Sequence, residues 1–339
     1  MHHPLHTPVC DLFGIEYPIF LAGMGGVSTA PLVAAVSEAG GLGVIGAATM
    51  GPDELREQIR QTRELTDKPF AVDLLAPNPE RIRPQVDVIY EEDVRVFVAG
   101  LAVPAEFIDE MHARGIKIIV MCGKVRHALK AQAAGADVVA AQGTEAGGHT
   151  GEIGTIALVP QVVDAVRIPV LAAGGIVDGR GVVAALALGA QGTVIGTRFI
   201  ATNESQAAQG YREAIVEAHD DSTMRTRAYT GKPARTIKTK YAEGWESKAD
   251  QIQPFPMQAG VSLQNGVMDY MGRTPQFDVQ RTFLPAGQGS GAIHDVRPAA
   301  DVFRQIVLEA EQIIRDRFGG AVFSPERPEL SPRTGARPA

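Results

Sequence analysis

Two cysteines and a single tryptophan in 339 residues are the scarcest features of this chain. Cys10 and Cys122 are too few for a disulfide framework and are not spaced as a metal site. Two reduced thiols in a cytoplasmic protein are the expectation. No uncharged apolar stretch reaches the roughly 18 residues a membrane helix needs, and the runs Val170–Ile176 and Val182–Leu188 are short and separated by glycines. The first eleven residues carry no apolar run of the kind a secretory signal requires. A basic excess is missing too: 32 Lys and Arg face 39 Asp and Glu, a net charge of −7. With no long basic stripe, a nucleic-acid partner lacks its electrostatic footprint. His2, His3 and His6 read as a tag remnant or a frayed end rather than a ligand set.

What is present is globular: 45% hydrophobic and 21% charged residues give ample material for a large core and exclude a mostly disordered chain. From Pro18 to about Ile200 one grammar repeats, a short apolar run, a turn, an amphipathic stretch and a glycine. The apolar runs are Pro18–Ala22, Leu42–Gly46, Phe70–Leu75, Val94–Ala99, Lys117–Met121, Asp137–Ala141, Val170–Ala173 and Thr193–Ile195. They lack the alternation of half-exposed strands, as parallel strands covered on both faces should. Pro31–Ala39, Pro52–Leu65, Ala105–Arg114, Lys124–Ala134 and Gly181–Leu188 carry helical spacing, with proline near several starts and glycine past several ends. Strand–helix alternation implies parallel pairing through right-handed crossovers. Eight such units predict a (β/α)8 TIM barrel, with an open doubly wound sheet as the competitor.

After Ile200 the rhythm breaks. Asn203–Asp221 reads as a helix, Arg225–Lys240 as basic and polar, and Asp295–Phe318 as a closing amphipathic helix. We therefore expect a barrel over residues 11–200 and 286–320, an inserted or appended small helical subdomain or cap over 203–285, and a disordered Pro- and Arg-rich tail over 324–339.

In a barrel, catalysis belongs on the loops after the strands. The loop Gln142–Glu152 after the sixth apolar run holds four glycines, Gly143, Gly147, Gly148 and Gly151, which permit positive φ and close approach to a ligand. They leave His149, and the carboxylates Glu145 and Glu152, alone at the mouth. An imidazole there can take or give a proton near neutral pH; the plainer reading is that it only caps the loop. Gly174-Gly175 and Gly196-Thr197 follow the last two runs, where backbone amides of a barrel often grip a phosphate, and the Thr197 hydroxyl would add a donor. Tight connections would look the same. Leu21–Gly26, with Gly23 and Met24, could lie flat against a planar ring. Asp73 and Gln142, polar ends of apolar runs, could hydrogen-bond that ring or its chain.

Gly41-Leu42-Gly43-Val44-Ile45-Gly46 matches the dinucleotide fingerprint letter for letter, yet it follows a helix and enters a strand, so it reads as a turn. Gly287–Gly291 could border the site or act as a hinge. Tyr229, Tyr241, Trp245 and Tyr270 could wall a substrate or pack the subdomain.

The order of Gln142–Glu152 (QGTEAGGHTGE), Ala172–Gly181 (AAGGIVDGRG) and Ile195–Phe199 (IGTRF), with Pro18–Met24 and Lys68–Leu74, resembles the nitronate monooxygenase family, formerly 2-nitropropane dioxygenases. The similarity covers about residues 11–200 and resumes at 286–298. It implies an FMN-containing barrel in which Met24, Asp73, Gln142, Gly147, Gly175, Gly196 and Thr197 surround the flavin, with Gly23, Gly148 and Gly174 beside them and His149 as base. It further implies oxidation of alkyl nitronates, and of nitroalkanes after proton removal, by O2 to a carbonyl compound and nitrite. Asp73 stands where relatives carry Asn, and Val194 where they often carry Gln. The same motifs are similar to those of NAD(P)H-dependent FMN reductases acting on a quinone or an enoyl thioester, the alternative activity.

Overall fold

Runs of consecutive Val, Ile, Leu and Ala can be buried on both faces only inside a sheet that helices wrap. In the computed structural model, which describes residues 3–319, those runs become β1 (Ile19–Leu21), β2 (Gly43–Gly46), β3 (Phe70–Leu75), β4 (Val96–Gly100), β5 (Lys117–Cys122) and β6 (Val138–Gln142). A two-residue strand β7 (Gly148–His149) follows, then β8 (Val170–Ala173) and β9 (Gly192–Ile195). Eight of these pair in parallel in the order β1-β9-β8-β6-β5-β4-β3-β2. The ends meet through a parallel bridge between Phe20 and Leu42, with the Leu21 amide donating to the Leu42 carbonyl and the Leu42 amide to that of Ile19. That closure makes a TIM barrel and rules out the open sheet.

The dinucleotide-like glycines lie inside this closure. Gly43 and Gly46 belong to β2, and a Cβ at Gly43 would strike the Val33 carbonyl of the helix Ala30–Glu38. They permit close helix–strand packing and hold no nucleotide loop. Cys10 and Cys122 are free, buried thiols, and burial pushes Cys122 up to about 12, which leaves it an unreactive thiol at neutral pH.

Two helices absent from the sequence reading, Pro79–Glu91 and Thr155–Ala165, complete the wrapping. The N-terminal histidines correct another expectation. His3 Nε2 donates to the Glu16 carbonyl (2.7 Å) and the ring rests on that of Tyr17, while His6 pairs with Asp11; the described start of the chain is anchored rather than frayed. His2 and the 324–339 tail lie outside the described residues.

Between residues 203 and 285 the chain is not purely helical. The expected long helix shortens to Gln209–Val216, and the basic stretch forms β10 (Thr223–Thr226) and β11 (Ala234–Ile237), antiparallel to one another. β11 in turn pairs with β7, so this segment joins the barrel's loops by main-chain hydrogen bonding. The closing helix Ala299–Phe318 buries Val302, Phe303, Ile306, Val307 and Ile314 against the barrel wall. Among the described residues no helix is long and apolar enough to cross a membrane.

Candidate active site

The carboxyl ends of the barrel strands open into a cavity of about 360 Å³. Its wall includes His149 together with Gly23, Met24, Asp73, Gln142, Gly147, Gly148, Gly174, Gly175, Gly196 and Thr197. Every residue expected around the flavin, with His149, thus faces one space, although they are spread across five strand ends.

The His149 loop is built more tightly than its glycines suggest. His149 is not on a free loop: it pairs as β7 with Ala234, while Gly148, at φ +72°, pairs with Arg235. Gln142 Nε2 donates to the His149 carbonyl at 3.2 Å. The imidazole Nε2 lies 2.9 Å from Thr230 Oγ1, which itself donates to the Lys232 carbonyl at 3.1 Å. With the hydroxyl hydrogen so committed, Nε2 carries the proton and Nδ1 keeps its lone pair. Phe255 packs edge-on to the ring, with centroids 5.8 Å apart. Burial, with a smaller contribution from the Lys232 charge, lowers the His149 pKa to about 4. The imidazole is therefore neutral at physiological pH and free to accept a proton.

The two carboxylates expected beside it are otherwise engaged. Glu145 accepts from the Thr155 amide (2.9 Å) and hydroxyl (2.8 Å), capping the helix Thr155–Ala165. Glu152 is exposed and paired with Arg225 at 3.2 Å. Only the imidazole remains as a proton acceptor on that loop.

Another wall carries Asp73, within β3 and beside Val98 of β4. Its Oδ1 is buried without a hydrogen-bond partner, and burial raises its pKa to about 8. The group is a neutral carboxylic acid at pH 7, able to donate a hydrogen bond into the cavity. Gly23 is glycine because a Cβ there would collide with that carboxyl. Leu101, which also lines the cavity, holds a left-handed φ of +67°, a strain that side chains tolerate mainly where function fixes the backbone.

A third wall is bare main chain. Among the described residues no acceptor engages the amides of Gly174, Gly175 or Gly196. Gly147 presses against the Ala286 backbone, where a Cβ would come within 2.9 Å. Gly287 donates its amide to Thr197 Oγ1 at 3.0 Å. The Gly287–Gly291 segment therefore borders the site, and the Thr197 hydroxyl accepts there while keeping its own hydrogen to donate. Arg198 points away, buried against Asp295 at 2.7 Å. Of the four aromatics in the irregular segment, Tyr270 lines the cavity. Tyr229, Tyr241 and Trp245 pack on one another.

Sequence reasoning missed the cavity-lining Thr230, Met268 and Pro285, and Lys232, whose charge acts on His149. Their local sequence carries no motif; they reach the site only through the β7–β11 pairing and the Gly287 turn. Among the described residues no group of three or more His, Cys, Asp or Glu side chains is gathered to hold a metal ion.

A TIM barrel with a buried imidazole, a buried carboxyl and open amides around one cavity defines a ligand-binding site rather than a structural core. The nitronate monooxygenase family model matches residues 6–85 and 81–309. The chain belongs to that family and is an oxidoreductase. It is 38% identical over 91% of its length to a probable nitronate monooxygenase of Staphylococcus saprophyticus, covering 99% of that protein. It is 42% identical, over 72% of its length and 69% of the other, to a Mycobacterium tuberculosis protein named (3aS,4S,5R,7aS)-5-hydroxy-7a-methyl-1-oxo-octahydro-1H-indene-4-carboxyl-CoA dehydrogenase. Among solved structures, FabK from Thermotoga maritima superimposes with a TM-score of 0.85 at 39% identity, over 93% of this chain and 99% of that one.

Proposed function

We propose that the cavity holds FMN and that the enzyme oxidises alkyl nitronates with O2 to a carbonyl compound and nitrite, with His149 as the active-site base. The observation that carries this reading is the buried, neutral imidazole of His149 facing a cavity whose other walls offer unmet hydrogen-bonding capacity.

The residues present fit a flavin mononucleotide. The open amides of Gly174, Gly175 and Gly196, with the Thr197 hydroxyl, suit a phosphate without any side-chain cation. Gly23 and Gly147 leave room for a flat ring where a Cβ would intrude. Asp73, an orphaned donor in its neutral form, and Gln142 suit ring heteroatoms or the ribityl hydroxyls. Bound there, FMN would supply the electron-transfer chemistry that no side chain can.

The chain's own residues do the rest. Met24, Leu75 and Met121 give the cavity apolar walls that exclude water, which strengthens each polar contact inside. His149 Nδ1 takes the α-proton when the substrate arrives as a neutral nitroalkane; a preformed nitronate needs no such step. In overall balance one oxygen atom from O2 enters each nitronate, its carbon leaving as the carbonyl and its nitrogen as nitrite.

The test is a yellow, FMN-containing His149→Asn variant. We expect it to retain its cofactor and lose nitroalkane turnover by about 10²–10⁴-fold, the usual weight of a general base. Wild-type nitroalkane turnover should hold as pH falls through 6.5 and drop only near 4, because protonation of His149 removes the base. Full turnover by the variant would remove His149 from the chemistry.

A second reading, an NAD(P)H-dependent FMN reductase acting on a quinone or an enoyl thioester, is favoured by the 42% identical relative whose name specifies a carboxyl-CoA substrate. Anaerobic mixing separates the two. Rapid bleaching of the flavin by propionate 3-nitronate supports the first reading, and bleaching by NADH supports the second.

A further inference from the structure

Beyond the cavity, the rim carries a concentration of positive charge that nothing in the protein neutralises. Lys124 precedes the helix Val125–Ala134, and Arg126 and Lys130 lie along it. Lys232 sits across the mouth. Among the described residues no carboxylate pairs with any of the four, although the chain as a whole has a net charge of −7. The nearest acid in sequence to the His149 turn, Glu152, is held by Arg225.

These cations converge. Gly123 abuts Gly151, where a Cβ would stand 3.1 Å from the Gly123 carbonyl oxygen, so Lys124 flanks the His149 turn on one side. The Thr150 amide donates to the Pro233 carbonyl at 3.2 Å, so Lys232 flanks it on the other. His127 feels all four: burial lowers its pKa first, and Arg126, Lys124, Lys232 and Lys130 each push it further down. Lys232 Nζ stands 6.0 Å from the centroid of Phe255, the ring that packs on His149.

Two features make this arrangement costly for the free protein. The helix has no acidic residue in its first turn, so Lys124 and Arg126 add positive charge where the helix field is already positive. Lys232 is half-buried, its pKa lowered by burial, without an anion to offset the desolvation. An anionic ligand would relieve both.

We propose that Lys124, Arg126, Lys130 and Lys232 form a binding site for the phosphate groups of a nucleotide-bearing co-substrate whose reactive end enters the cavity beside His149. A small nitronate carries one negative charge and needs no such rim, so the inference rests on the second reading, a reductase of nucleotide-bearing substrates, and deepens it by assigning the residues that would hold them. Its ligand is an adenine nucleotide carrying a diphosphate, with or without a further phosphate. A pyridine dinucleotide and a coenzyme A thioester both present that chemistry. The rim lies outside the FMN phosphate wall of Gly174, Gly175 and Gly196, so the two phosphate sites do not compete.

Equilibrium binding of coenzyme A, NADPH and NADH to the flavin-loaded protein tests the site, by calorimetry at about 50 mM and about 300 mM salt. At least one should bind at the lower salt and weaken steeply at the higher, as charge-driven phosphate binding does. Lys232→Gln should weaken it about tenfold, and the triple variant Lys124→Gln, Arg126→Gln, Lys130→Gln by as much or more. Lys130→Glu, at an exposed position, should weaken it further than Lys130→Gln. Turnover of ethylnitronate, a monoanion, by the triple variant should stay unchanged, which separates this site from the nitronate reading. Saturation by coenzyme A but not NADPH assigns the rim to a thioester; the reverse assigns it to a dinucleotide. If none of the three ligands binds, or if the variants bind as the parent does, the proposal is wrong.

Discussion

The two rims of this barrel are built on opposite principles. At the amino-terminal end, Glu92 receives Arg56 (3.1 Å), Arg60 (2.8 Å) and Arg63 (3.3 Å). Asp137 there receives His112 (3.0 Å), Lys117 (3.2 Å) and the Ile118 amide (2.9 Å). Each carboxylate is met by several donors. At the carboxyl-terminal end, Asp73 Oδ1 has no partner, three glycine amides have no acceptor among the described residues, and four cations have no carboxylate. A polar group left unmet in a buried place costs stability, so the gathering of such groups around one cavity marks where the molecule expects a ligand. The closed rim holds the barrel; the open rim holds unused bonding capacity in position.

Substitutions on each rim sharpen that contrast. The largest effect is expected from Gly147→Val, which drives a branched side chain into the Ala286 main chain, where even a Cβ lies within 2.9 Å. Two backbones must separate, at about 2–3 kcal/mol of overpacking, and the purified protein should be both less stable in denaturant and poor in flavin. Glu92→Ala, on the closed rim, should cost about 2 kcal/mol because it leaves three guanidinium groups facing one another. Turnover per flavin should be untouched. Burial of Glu92 opposes ionisation, but the hydrogen bonds from Arg60 and Arg56 outweigh it and its pKa is lowered. Its contribution is thus present at neutral pH and lost as pH falls through that lowered value. Urea midpoints should separate wild type and variant more at pH 7 than at pH 3.

How much of this was legible beforehand depends on whether the signal was local. The barrel strands are consecutive buried Val, Ile and Ala, a pattern each segment carries by itself. The density of glycines around His149 was equally local, and it singled out a residue that does line the cavity. The helices Pro79–Glu91 and Thr155–Ala165 were missed because each contains an internal proline, Pro84 and Pro160. In Pro79–Glu91 the surrounding packing overrides that helix-breaking residue. The partners of His149 were invisible for another reason. Thr230 lies 81 residues away, and the pairing of β7 with β11 rests on two residues of strand with no periodicity to read. Glu145 and Glu152 looked like free acids because capping and ion pairing are settled by tertiary neighbours, Thr155 and Arg225.

A smaller effect should come from the hold on His149. Thr230→Val removes the acceptor for Nε2–H without changing side-chain volume much. The imidazole can then turn or change tautomer, so Nδ1 is no longer reserved for the substrate. We expect about a tenfold loss of kcat with neutral nitroethane, about 1.4 kcal/mol. With preformed ethylnitronate, which needs no proton removed, the loss should be slight. Equal losses with both substrates would indicate general damage to the cavity instead of a lost proton acceptor.

The finest probe of the open rim is Asp73 itself. Its unfolded-state pKa is near 3.9, whereas burial raises the folded value to about 8. Below pH 4 the carboxyl is protonated in both states and contributes no pH dependence. Between 4 and 8 the unfolded chain releases a proton that the folded chain keeps, so wild-type stability falls as pH rises, and above 8 the difference is constant. Asp73→Asn keeps the shape and removes the titration. The variant should match wild type near pH 4 and exceed it progressively as pH rises to 8. Thermal midpoints measured across that range would reveal the widening gap. A constant offset would mean that Asp73 is ionised and has found a partner, and the open rim would then be less open than its main-chain amides and unpaired cations indicate.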